Sequence, residues 1–115
     1  MSEPLDLNEV AEFLRGFAVE RDWEQFHTPK NLSMALAGEA GELLEIFQWL
    51  TPDQSDDLDQ GSLHHVGEEL VDILQYVVRI ADLLNIDLNE AFWAKFEKNS
   101  TRYPVDEVRG SAEKR

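Results

Sequence analysis

The sequence has 115 residues, no cysteine, and 24 acidic against 10 basic side chains for a formal net charge of -14. That length suits one domain with a small core, and the missing cysteine excludes a disulfide framework, a thiolate metal site and a cysteine nucleophile. The acidity excludes a nonspecific nucleic-acid binder, which needs a basic surface, but leaves room for a small anion held through a carboxylate-bound cation.

Helix is predicted almost throughout. The first begins after Asp6, which with Glu9 three residues on makes a capping-box-like start, and Leu7, Val10, Leu14 and Phe17 give it one apolar stripe. The segment from Asp22 to Lys30 is irregular and rich in large side chains, Trp23, Phe26 and His27. It ends at Thr28-Pro29, where proline suits a first helical position, so a second helix runs from about Pro29 to Leu50. Thr51-Pro52 stops it, because the residue before proline is pushed out of helical geometry. Residues 51–61 hold Leu58 as their one aliphatic side chain and predict a mobile connecting loop. A third helix follows from about Ser62 to Leu84, and a fourth after Asp87, paired with Glu90, to about Arg102. The domain is therefore expected over residues 1–104, with 105–115 a charged, aperiodic tail that is disordered or drapes over a neighbour. No apolar run reaches the roughly 18 residues of a membrane span, and no secretory pattern opens the sequence, so a soluble cytoplasmic protein is expected.

Four carboxylates carry the chemistry. Glu39 and Glu42 stand three apart in helix two, and Glu69 and Asp72 three apart in helix three, so each pair projects from one helical face. At about 100° per residue, Glu39 falls among Leu32, Leu36, Leu43, Ile46 and Leu50, the face that should enter the core. Glu42 lies on its shoulder beside Trp49, and Glu45 has rotated toward solvent, as a supporting ligand or a surface charge. On helix three Glu69, Asp72, Tyr76, Ile80 and Leu83 share one face, and Leu70, Leu74, Val77, Ala81 and Leu84 the opposite one; Glu68 sits outside the cluster. If the helices pack, the acids converge and repel unless a hard divalent cation sits between them. A helix apolar on two sides needs more cover than this chain offers, which predicts a twofold dimer or a pair of dimers.

The stretch Arg21-Asp22-Trp23-Glu24-Gln25-Phe26-His27, the run Asn31 to Trp49 with Gly38-Glu39-Ala40-Gly41-Glu42-Leu43, and Glu68-Glu69-Leu70-Val71-Asp72 with Tyr76 resemble the MazG-like, all-α nucleoside triphosphate pyrophosphatases, closest to their dCTP pyrophosphatase branch. The likeness continues through Lys95, Asn99, Arg102, Tyr103 and Pro104. It implies a four-helix bundle assembling as a dimer or dimer of dimers, and hydrolysis of dCTP or a modified dCTP between the α and β phosphates, a housecleaning of the nucleotide pool. It implies magnesium held by Glu39, Glu42, Glu69 and Asp72, with one of the first pair also orienting the attacking water.

By the same resemblance Trp23, His27, Trp49 and Tyr76 surround the nucleobase, and Lys95, Asn99 and Arg102, about one turn apart, reach phosphate oxygens, with Lys30 a weaker candidate. The plainer alternatives are aromatic packing for area, a structural cap at His27, and a solvated face on helix four. Two other functional classes compete. A di-iron carboxylate bundle needs Glu-x-x-His on two helices, whereas only Glu24 to His27 matches, and His64 and His65 come too early on helix three, facing solvent. A noncatalytic acidic interaction protein leaves Glu39 in an apolar stripe without a reason.

Overall fold

The computed structural model describes residues 3–115, as helices with no strand among them. In chain order these are α1 (Leu7–Glu20), α2 (Pro29–Phe47), α3 (Pro52–Ser55), α4 (Gln60–Leu83), α5 (Leu88–Arg102) and α6 (Val105–Val108). None of the described helices is long and apolar enough to cross a membrane.

The four long helices start where short polar side chains satisfy the unpaired amides of a first turn. Asp6 accepts from Asn8 N–H at 2.7 Å, Thr28 from Asn31 at 3.1 Å, Asp59 from Ser62 at 2.7 Å, and Asp87 from Asn89 at 2.9 Å. Two helices end alike. Asp22 (φ 54°) and Asn85 (φ 56°) take left-handed conformations just past α1 and α4. The next amides then reach back into the helix, Trp23 to Ala18 O and Ile86 to Ala81 O, each at 2.9 Å. The first of these closures folds Trp23 back beside Phe17, their ring centroids 5.7 Å apart.

Four features differ from expectation, each for a local reason. Helix α2 stops at Phe47, ahead of Leu50, in a turn where Leu50 N–H bonds Phe47 O at 2.9 Å. The expected loop over 51–61 contains the one-turn α3, closed by a capping box: Gln54 N–H donates to Thr51 Oγ1 at 3.2 Å and Thr51 N–H to Gln54 Oε1 at 2.9 Å. Asp59 then starts α4 at Gln60, before Ser62. In place of an irregular tail, α6 is followed by a chain folded back on it: Arg115 N–H bonds Tyr103 Oη at 2.9 Å, and its guanidinium meets Arg102 O at 3.1 Å and Glu107 at 2.9 Å.

The main packing is α2 against α4, with α1 laid on α4. Fully buried apolar side chains are few: Ala18 from α1, Leu32 from α2, Val78 and Ala81 from α4. The radius of gyration, 17.4 Å, exceeds the roughly 13 Å of a compact chain of this length. Helix α5 packs extensively on none of the others and exposes Phe92, Trp93 and Phe96, whose rings contact one another along the helix. On α4 Glu69 is buried and Asp72 and Tyr76 are half-buried, while Leu70 and Leu84 on the other side are exposed.

Candidate metal centre and adjoining pocket

Packing of α2 on α4 carries Glu39 across to Glu69 and Asp72, and carboxylate oxygens of all three lie within 4.8 Å of one another. Glu69 is buried, and Oε2 of Glu39 and Oε2 of Glu69 have neither solvent nor a hydrogen-bond partner. Desolvated oxygens without donors are costly unless a proton or cation compensates them. The titration of Glu39 reflects this. Its carboxyl is pushed up to about 7, first by sharing a hydrogen with Glu69, then by burial, then by the neighbouring Glu42 carboxylate. A proton or a cation would each relieve this cluster of acids. Its all-carboxylate donor set suits a hard divalent ion, and the orphaned oxygens provide ligand atoms with no competing partner.

Of the four expected ligands, three converge and Glu42 flanks them. Its side chain approaches Glu39, and it lines an open hollow with Glu45, Ile46, Ser62, His65 and Glu69. Glu45 therefore borders the centre from the solvent side. His65 is largely exposed and outside the three-carboxylate cluster, as expected, yet its Nε2 lies 3.3 Å from Glu69 Oε1, one helical turn away. The i, i+4 spacing could have signalled it. His64 pairs instead with Glu68 at 2.7 Å, both in solvent.

One turn along α4 from Asp72, Tyr76 opens onto a second concavity of about 120 Å³, lined with Leu14, Phe17, Trp23, His27, Leu32, Gln75 and Arg79. Trp23 and His27 lean together with ring centroids 6.2 Å apart. An apolar cavity of about 150 Å³ takes up a benzene ring, so this space has the scale of one six-membered ring. Three of the four residues expected around a base are brought together here. Trp49 is not: it stands 87 % exposed in the turn after α2. Lys95, Asn99 and Arg102 lie on α5, outside both the carboxylate cluster and the pocket, and Lys30 is exposed in the first turn of α2.

Sequence reasoning missed Arg79. It is 4 % exposed, its Nε–H donates to His27 Nδ1 at 3.2 Å, and its Nη1 lies 3.3 Å from Asp82. Asp82 in turn takes two bonds from Arg15, at 2.6 and 3.0 Å, and this pairing holds its carboxyl below the usual range. An arginine on an apolar helix face carried a signal like that of Glu39, but its partner lies 52 residues away.

The model of the MazG-like family matches residues 34–115, which include all four carboxylates. The chain belongs to the MazG-like family. Its sequence is 47% identical to dCTP pyrophosphatase 1 of Bos taurus over 114 residues, 96% of this chain and 66% of that protein. Against dCTP pyrophosphatase 1 of Homo sapiens the identity is 42% over 113 residues, 94% of this chain and 65% of that one. The chain thus spans just under two thirds of the length of these curated relatives. Among solved structures, a pyrophosphatase from Archaeoglobus fulgidus DSM 4304 superposes with a TM-score of 0.81 at 36% identity, covering 90% of this chain and 97% of that one. The family match begins at Met34, so in this MazG-like chain Trp23 and His27 lie ahead of it, within the stretch shared with the curated relatives.

Proposed function

We propose that the protein hydrolyses a deoxynucleoside triphosphate, dCTP or a 5-substituted dCTP, between the α and β phosphates, giving the monophosphate and pyrophosphate. The observation that carries this reading is the convergence of Glu39, Glu69 and Asp72 with orphaned oxygens, one helical turn from a pocket on the scale of a single ring. Mammalian relatives named dCTP pyrophosphatase 1 and an archaeal pyrophosphatase of the same fold supply the reaction class.

Glu39, Glu69 and Asp72, with Glu42 at their edge, would hold the metal, and we propose magnesium. Bound there, it would neutralise phosphate charge and lower the pKa of a coordinated water. Each residue then has a task. One of the pair Glu39 and Glu42 would orient the attacking water. Trp23 and Tyr76 offer ring faces to a flat base, and His27 a polar contact. Asp72 and Tyr76, about 6 Å apart along α4, fix the spacing between the phosphate end and the base end.

A homodimer or homotetramer completes the proposal. The open radius of gyration and the exposed Phe92, Trp93 and Phe96 are surfaces that a second copy would cover. Such association is also the route by which Lys95, Asn99 and Arg102 on α5 would reach phosphate oxygens, since within one chain they stand apart. We propose for it a cytoplasmic housecleaning role, removing unwanted nucleotides before DNA synthesis.

The test is pyrophosphate release from dCTP with magnesium. Glu39→Gln and Asp72→Asn should each abolish it while the protein stays folded, and unchanged turnover in both would sink the site. A panel of canonical and 5-substituted triphosphates compared by kcat/KM fixes the base preference. An iron-loaded protein would favour the di-iron class, and inertness toward every nucleotide a binding module.

A further inference from the structure

The pocket contains a polar device that the hydrolytic reading does not use. Arg79 is buried, yet the Nε–H of its guanidinium turns from the carboxylate of Asp82 toward the ring nitrogen Nδ1 of His27, 3.2 Å away. A guanidinium has only donors and keeps its charge at every working pH. The Nδ1 it faces must therefore present a lone pair, and the one proton of the neutral imidazole sits on Nε2. Protonating His27 would set donor against donor beside a buried positive charge. The groups around the ring agree: burial first and Arg79 second push the His27 pKa down, with Glu24 the lone opposing charge. Arg79 itself is anchored, because Asp82 is gripped by Arg15 from α1. Nε2 has no hydrogen-bond partner among the described residues, and His27 borders the pocket with Trp23 and Tyr76.

Resting on the nucleotide reading above, we infer that Arg79 is a positioning residue that locks His27 as an Nε2–H donor, so that the pocket recognises a base by an acceptor at ring position N3 and prefers cytosine to uracil or thymine. Cytosine presents O2 and N3 as adjacent acceptors, whereas uracil and thymine carry a hydrogen on N3. A fixed donor meeting that hydrogen leaves two donors facing each other, a loss that a polar site feels more than a missing methylene. A histidine free to choose its tautomer could adapt to either edge.

Nitrogen NMR of the imidazole tests the lock directly, with no substrate present. Wild-type His27 should be neutral and protonated on Nε2 at about pH 7. In Arg79→Met the tautomer should become mixed, and the titration should move up toward the ordinary histidine value of about 6.5. In turnover, Arg79→Met should raise KM for dCTP by about five- to tenfold with kcat held within about twofold, and lower the preference over dUTP by a similar factor. Arg79→Lys, which keeps a donor, should retain the tautomer and restore most of the preference. Wild-type His27 found charged or protonated on Nδ1 overturns the inference, as does a loss confined to kcat with base preference unchanged. Should Arg79→Met fail to fold, the wild-type tautomer and Arg79→Lys decide. Failure of the nucleotide reading is distinguishable: the wild-type protein would then hydrolyse no triphosphate, which removes the base-recognition role whatever tautomer the spectrum reports.

Discussion

The two halves of α4 bury charge in opposite ways. Toward its N-terminus Glu69 and Asp72 meet another acid, Glu39, so like faces like, two oxygens have no partner, and the Glu39 carboxyl rises to about 7. Toward its C-terminus Arg79 and Asp82 meet Arg15 and His27, every contact joins donor to acceptor, and the Asp82 carboxyl falls. The second arrangement is complete within the chain. The first leaves two carboxylate oxygens unsatisfied, the mark of a candidate binding centre as against a structural ion pair.

The sharpest way to break this contrast is loss of function. Asp72→Asn should cut pyrophosphate release by at least about a hundredfold, because it removes one of three converging ligands, whereas Asp82→Asn should leave kcat within about tenfold. Similar losses in the two variants would mean that the ends of α4 do not differ in kind.

Stability should move in opposite directions. Asp82→Ala strands two arginines, one of them buried, and should cost about 2 kcal/mol in urea unfolding near neutral pH. Because the folded-state pKa of Asp82 is depressed, its contribution is present above the ordinary carboxylate range and is lost as pH falls through the lowered value. Glu39 has the reverse sign. Its raised value means that the folded metal-free protein keeps a proton that the unfolded chain has already released, so stability is greatest below 4.5 and declines as pH rises through about 7. Glu39→Gln should therefore raise the metal-free Tm by several degrees at about pH 8 and change it little at about pH 5. Thermal scans at the two pH values check this, and a Gln variant less stable at both would count against like-charge strain.

A third expectation concerns the ion. A divalent cation held by Glu39, Glu69 and Asp72 would compete with the proton that Glu39 binds up to about pH 7, so magnesium affinity, read by calorimetry in two buffers, should strengthen as pH rises through about 7 with proton release. Affinity independent of pH would place the ion elsewhere. The smallest effect belongs to the exposed histidines. His65→Ala, which removes the side chain against Glu69 Oε1, should weaken magnesium by no more than about tenfold, while His64→Ala, which breaks only a solvated pair with Glu68, should not register.

Much of the site was legible because its grammar is local. The i, i+3 spacings put Glu39 in an apolar stripe and Glu69 with Asp72 on one face, and those three do meet. Glu42 belonged to the same pattern but sits a shoulder away, lining the open hollow beside the three, because the spacing fixes a helical face and the seat of α2 on α4 decides which residue of the pair reaches the cluster. Trp49 failed to join the pocket because α2 ends at Phe47, and the turn that follows no longer obeys the helical wheel.

Sequence by itself determined where three of the long helices begin, through Asp6, Thr28 and Asp87, and which face of each helix carries acids or apolar groups. These follow from hydrogen bonds and periodicities spanning a few residues. Only the tertiary structure decided that Glu39 lies against Glu69, that Arg79 reaches His27, and that Lys95, Asn99 and Arg102 stay apart from the acids. Those outcomes depend on how α2 and α1 rest on α4 and on α5 finding no such seat. Contacts across dozens of residues are chosen by packing, and no local spacing encodes them.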